Sequence, residues 1–210
     1  SPSRIGGYRA IFGGLPASVL ADEILTPGEG QVRALVVVAG NPVISFPDTR
    51  KIEEALRSLT TRARRRDVPE ELESLLARLA AVVQTPEDAR DLLIERADAL
   101  ATTLARPAQA VPVLRDLLDR LDGACQPAIL RLVGLAEELA DDALLAEGLE
   151  RQLTATEDPG LRVPIAERLA DVCEQRLHDT ARSVKALYVW ADADLADAAP
   201  QQRLVRLLEP

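Results

Sequence analysis

"LARPAQAV" begins at Leu104, "LADDALLA" at Leu139 and "LHDTARSV" at Leu177. Set column over column, the three stretches place Leu first and Ala fifth (Ala108, Ala143, Ala181), with spacings of 35 and 38 residues. A recurrence in the mid thirties is the length of a helix-turn-helix unit that cannot bury its apolar face alone and must stack on copies of itself. Small residues at the alanine column are expected to let two antiparallel helices approach closely.

The surrounding sequence agrees with that reading. From Pro69 onward apolar residues recur at helical spacing, as in Leu72, Leu75, Leu76 and Leu79, or Leu114, Leu117, Leu118 and Leu121. Breaks fall at "QTPED", "ARPAQ", "DGACQP", "ADDA", "EDPG", "LHDTA" and "DAAPQ". They divide the region into about eight helices, each too short to be stable without packing against a neighbour.

These repeats resemble the tetratricopeptide family over roughly residues 69–210. The resemblance implies an antiparallel helix-pair solenoid, with Ala97, Ala136 and Ala170 as the small residue of each first helix. The family's aromatic positions are mostly aliphatic here. Only "ALYVWADADL", with Tyr188 and Trp190, restores aromatic weight.

Composition bounds the rest. At 210 residues, 47% apolar and 28% charged, the chain has room for one or two domains with real cores and does not have the makeup of a disordered protein. No apolar run has the length of a membrane span and no secretory leader opens the chain, so a cytoplasmic protein is expected. Cys125 and Cys173 stand far apart without metal-ligand spacing, which reads as two buried thiols. The start at Ser1-Pro2 and the stop just after the helical pattern "QQRLVRLLE" read as an excerpt, with the repeats truncated at the C-terminus.

Charge divides the chain. Residues 1–66 carry net +4 and the remainder net −13, and seven of the eleven glycines precede position 41. The expected partition is an α/β-like segment over 1–60, a basic linker over 61–68 and helical repeats over 69–210. The acidic repeats argue against a nucleic-acid partner, since phosphate contacts need Lys and Arg. They favour a basic protein or peptide by steering; the alternative is that the acid only solubilises.

In the first segment, "ALVVVAGNPVISFPDTRKIEEAL" (34–56) holds a short β-run. Leu35–Val38 read as a strand bounded by Gly40, Asn41 and Pro42, and Pro47 and Asp48 signal the start of a helix. Such a strand needs a partner, for which a neighbouring chain or residues near Arg4–Phe12 are candidates. The run "LPASVLADEILTPGEGQVRALVVVAGNPVISFPDTRKIEEALRSL" resembles the molybdopterin oxidoreductase family over about residues 4–59. That resemblance implies a loop close to a molybdopterin guanine dinucleotide, with Gly40, Asn41, Pro42 and Ser45 as the cofactor-binding positions. An ordinary strand-to-helix turn is the competing reading of the same residues. No cysteine cluster or molybdenum-ligand motif accompanies them, so no catalytic or metal-ligating residue is nominated.

Remaining candidates are weaker. His178, the sole histidine, sits in "LHDTA" with no nucleophile suggested nearby and reads as a solvated loop residue. Arg62, Arg64, Arg65 and Arg66 are able to bind an anion, but they also suit the negative end of a helix, and a basic linker is the expectation. The sequence therefore reads as a mainly α, non-enzymatic interaction scaffold, with a fragment of a molybdopterin-dependent oxidoreductase as the alternative.

Overall fold

The computed structural model describes residues 3–8, 17–33, 35 and 48–208. They fall into two compact units, Ser1–Leu104 and Ala105–Pro210. The chain is mainly α, and the described residues contain no strand. No helix among them is long and apolar enough to cross a membrane.

In the first unit a 3-10 turn, Ala17–Val19, leads into α1 (Leu20–Leu25), followed by α2 (Thr49–Arg66), α3 (Pro69–Ala80) and α4 (Pro86–Asp98). The last runs on into a π-helical turn, Ala99–Thr103. Each helix packs on the next. Asp48 starts α2 as its sequence suggests: the carboxylate accepts from the Lys51 backbone N–H at 3.1 Å, satisfying one of the orphan donors of the first turn. The core is one aliphatic cluster drawn from α1 to α4, including Ile24, Ile52, Leu56, Leu59, Leu76 and Leu79. Each such side chain taken out of water contributes about 1.5–3 kcal/mol.

The N-terminal turn is tied to α1 by a buried carboxylate. Glu23 accepts from the Ile5 backbone N–H at 2.9 Å and from Arg4 Nε at 3.2 Å, and Arg4 Nη2 also donates to the Thr26 carbonyl at 2.7 Å. Residues 3–8 are thus a turn docked on a helix, where a strand partner was one expectation. Of the expected strand, Leu35 lies in no regular element, and its carbonyl accepts from Arg78 Nη1 at 3.3 Å. Val36–Val38 lie outside the described residues. The stretch read as a basic linker is helical through Arg66. Ala63 on its inner face is buried, and Arg64 to Arg66 occupy the last turn, where cations suit the helix dipole.

The second unit holds α5 (Pro107–Arg120), α6 (Gln126–Glu138), α7 (Asp142–Ala155), α8 (Pro159–Val172, continuing as a π-helical turn Cys173–Leu177), α9 (Thr180–Ala193) and α10 (Ala199–Leu208). From α6 onward, connections of two to five residues fold each helix back on its predecessor. From Pro69 onward eight helices are described, and every expected break falls at an observed connection. The breaks work by identifiable caps. Asp141, Asp158 and Asp179 each accept from a backbone N–H of the following first turn, and Pro159 takes a first-turn position where its missing N–H costs nothing.

The repeat first seen in the sequence has a backbone counterpart. Leu104, Leu139 and Leu177 are each followed by a residue in the left-handed conformation: Ala105 (φ 52°), Ala140 (φ 51°) and His178 (φ 53°). Asp67 (φ 53°) is a further member of the series. The left-handed residue ends one helix and lets the chain satisfy a carbonyl of its last turn, as when Asp141 N–H reaches the Ala136 carbonyl at 2.9 Å. A shared core column follows the same register, for Leu76, Leu114, Leu149 and Leu187 are all essentially inaccessible.

The alanine column requires correction. Ala108, Ala143 and Ala181 lie in the first turns of α5, α7 and α9 and face solvent. Ala97, Ala136 and Ala170 are buried as expected. A close helix approach is made instead by Gly148 on α7, where an added Cβ would stand 2.8 Å from Val133 Cγ2 on α6.

Candidate functional site

Three consecutive helices of the second unit enclose a groove of about 630 Å³. It lies where the C-terminal ends of α6 and α8 meet the N-terminal end of α7. Ala136, Leu145 and Val172 supply buried apolar surface, and Glu137, Asp142, Arg168, Asp171 and Arg176 supply charge. The left-handed Ala140 places the α6–α7 turn beside the groove.

The charged residues are held in fixed pairs. Arg176 Nη1 lies 2.9 Å from Asp142 and Arg203 Nη2 lies 2.8 Å from Asp171, while Arg168 pairs with Glu137. Arg176 ties the α8 extension to the adjacent α7, while the other two pairs join helices two apart in order. The same rule governs other parts of the unit. Arg151 reaches Asp119 at 2.7 Å, Arg182 reaches Glu150 at 2.8 Å and Arg115 bonds Glu147, all 32 residues apart. Exposed pairs of this kind are worth about 0.2–1 kcal/mol each, so their effect here is to fix side-chain positions more than to hold the fold.

Glu147 sits between two guanidinium groups of this ladder. Burial alone would push its pKa up, but hydrogen bonds from Arg115 and Arg151 outweigh that and hold the carboxyl below its ordinary value. Cys173 is different: burial pushes its thiol up to about 11. Cys125 and Cys173 are both buried and free, which matches the sequence reading. A thiol so far from its thiolate form at neutral pH is a poor nucleophile.

The same three helices carry a second groove at their other ends, about 590 Å³ in volume, between the N-terminal ends of α6 and α8 and the C-terminal end of α7. Its walls include the exposed Leu130 and Leu161. One end of the three-helix set is thus charged around an apolar floor, and the other sets exposed leucines among polar residues such as Gln126, Gln152, Glu157 and Asp158.

Gly40, Asn41, Pro42 and Ser45 lie outside the described residues. His178 caps the end of the α8 extension, with Nδ1 at 3.2 Å from the Glu174 carbonyl, and is exposed. Among the described residues no group of three His, Cys, Asp or Glu side chains is arranged to hold a metal ion. The groove residues Glu137, Asp142, Arg168 and Arg176 were not singled out from the sequence. Their signal was an Arg and an acid 31 or 34 residues apart, meaningful only once the helix period is known.

No family model, curated protein or solved structure matches the chain. Packed helix pairs are compatible with helical repeats. The resemblance of residues 4–59 to molybdopterin oxidoreductases rests on the quoted residues alone.

Proposed function

We propose that the protein is a non-enzymatic scaffold, and that the charged groove of α6, α7 and α8 receives a segment of a protein partner. The observation that carries this reading is the groove's makeup. An apolar floor of Ala136, Leu145 and Val172 offers burial, and flanking carboxylates and guanidinium groups in fixed pairs offer directional bonds. Peptide recognition by helical repeats draws on the same two contributions. Three acids against two arginines in the lining, within a strongly acidic half of the chain, favour a peptide with a net positive charge.

The test is a titration of isotope-labelled protein with a set of lysine-rich and arginine-rich peptides, read by amide chemical shifts. Perturbations should centre on residues 136–145 and 168–176. Asp171→Arg should weaken binding while leaving the helical circular dichroism signal intact. The reading fails if none of the peptides binds at millimolar concentration, or if shifts map to other helices and Asp171→Arg has no effect.

A further inference from the structure

The first unit contains a cleft of opposite character. Gln31, Arg33, Arg62, Arg65 and Arg66 line a groove of about 290 Å³, with no carboxylate among the described residues of its wall. Its two sides are built separately. Arg62, Arg65 and Arg66 stand at i, i+3 and i+4 on α2, which places them on one helix face. Arg33 follows a segment pinned to α1, since Gln31 Nε2 donates to the Ile24 carbonyl at 2.6 Å and Val32 N–H to the Glu23 carbonyl at 3.0 Å.

These arginines differ from their neighbours in what they bond. Arg57 and Arg64, on the same helix, reach Asp88 and Glu95 of α4. Arg33, Arg62, Arg65 and Arg66 make no ion pair among the described residues, and Asp67 beside them in sequence pairs with none of them. Arg62 Nη1 is buried and has no hydrogen-bond partner among the described residues. An ionised donor held away from water without an acceptor is unfavourable, and like charges at i+3 and i+4 add repulsion. The negative end of α2 offsets part of that repulsion. It does not supply the missing acceptor.

We infer that this cleft is a binding site for a small multivalent phosphate anion of the diphosphate class. Guanidinium forks match phosphate oxygens in bidentate geometry, and four of them require more negative charge than one carboxylate carries. The volume lies at the low end for small-molecule sites, which suits a compact anion better than a polymer backbone. A free diphosphate and the diphosphate of a nucleotide share this chemistry, and the experiment separates them.

Calorimetric titrations of the full chain with inorganic pyrophosphate, ADP and orthophosphate at low ionic strength should show pyrophosphate or ADP binding well above orthophosphate. Added salt should weaken that binding. Equal affinity for the first two assigns the site to the diphosphate alone; tighter ADP binding adds a nucleoside contact. Arg62→Gln should cost about tenfold or more in affinity, as loss of a charge-assisted bond does. Arg64→Gln, which removes a guanidinium already paired with Glu95, should leave affinity unchanged. Absence of binding by all three anions overturns the assignment, as does an equal loss from Arg62→Gln and Arg64→Gln. Helical content and melting temperature of both variants, measured alongside, separate a lost site from a lost fold.

Discussion

The two units solve the same packing problem and differ in how much of their arginine charge is paired across helices. Both bury a leucine column that follows the left-handed turns, with Leu76 in the first unit and Leu114, Leu149 and Leu187 in the second. In the second unit Arg176 faces a carboxylate on the adjacent helix, and Arg115, Arg151, Arg168, Arg182 and Arg203 face one on a helix two away. In the first, Arg57 and Arg64 do the same, while Arg62, Arg65 and Arg66 on that helix do not. Charge that is matched within the fold has a structural account; the unmatched charge of Arg62, Arg65 and Arg66 is what the proposed anion would meet.

If the core is the shared part, truncating its column should be the most damaging change in either unit. Leu76→Ala and Leu149→Ala should each cost about 2–5 kcal/mol, the range for a leucine deleted from a close-packed interior. Chemical denaturation of the two variants checks this. A loss below about 1 kcal/mol at one site would mean that the units do not share a packing logic.

Gly148→Ala tests the close approach of α7 to α6 in the second unit. The new methyl would meet the branched Val133 side chain, and the expected cost is about 1–3 kcal/mol. Gly148→Ala combined with Val133→Ala should recover part of it. Recovery separates overpacking from any other effect of adding a methyl to α7.

These sites show what was legible in the sequence. Turn positions were, because Asp141, Asp158, Asp179 and the first-turn prolines act through local geometry that the residue itself sets. The repeat was legible through Leu104, Leu139 and Leu177, but which alanine sits at a contact was not. Ala108, Ala143 and Ala181 share a column with respect to the turn and still face solvent, because facing is decided by the helix's rotation about its axis. Gly148 did carry a signal, since an isolated glycine within "LLAEGLERQL" is costly for a helix unless packing requires it. The basic cleft was half legible. Arg62, Arg65 and Arg66 were visible as a run, whereas Arg33 joins them only through the fold and Arg64 leaves them only through Glu95.

The left-handed turns give a smaller and favourable effect. Ala140→Gly removes a Cβ from a conformation that L-residues adopt at a cost, and should stabilise by about 0.5–1 kcal/mol. His178→Gly should act in the same direction, read as a rise in melting temperature.

The contrast between matched and unmatched arginines predicts the smallest energies and the most informative signs. Arg151→Gln should destabilise by about 0.2–1 kcal/mol, because it leaves Asp119 without its cross-helix partner and Glu147 with one fewer. Arg65→Gln in the ligand-free protein should be neutral or stabilising, because it relieves repulsion and breaks no bond. Acidity adds a second axis. The Glu147 carboxyl is held below its unfolded value, so its contribution is complete above the unfolded carboxylate range and is lost as pH falls through the lower folded value. Arg151→Gln should flatten that acid limb, since it removes one of the two guanidinium groups that depress Glu147, and Arg65→Gln should leave the limb unchanged. Were the two variants to shift stability and its acid dependence alike, arginines in both units would be acting through net charge alone, and the cleft of the first unit would lose its distinction from the ladder of the second.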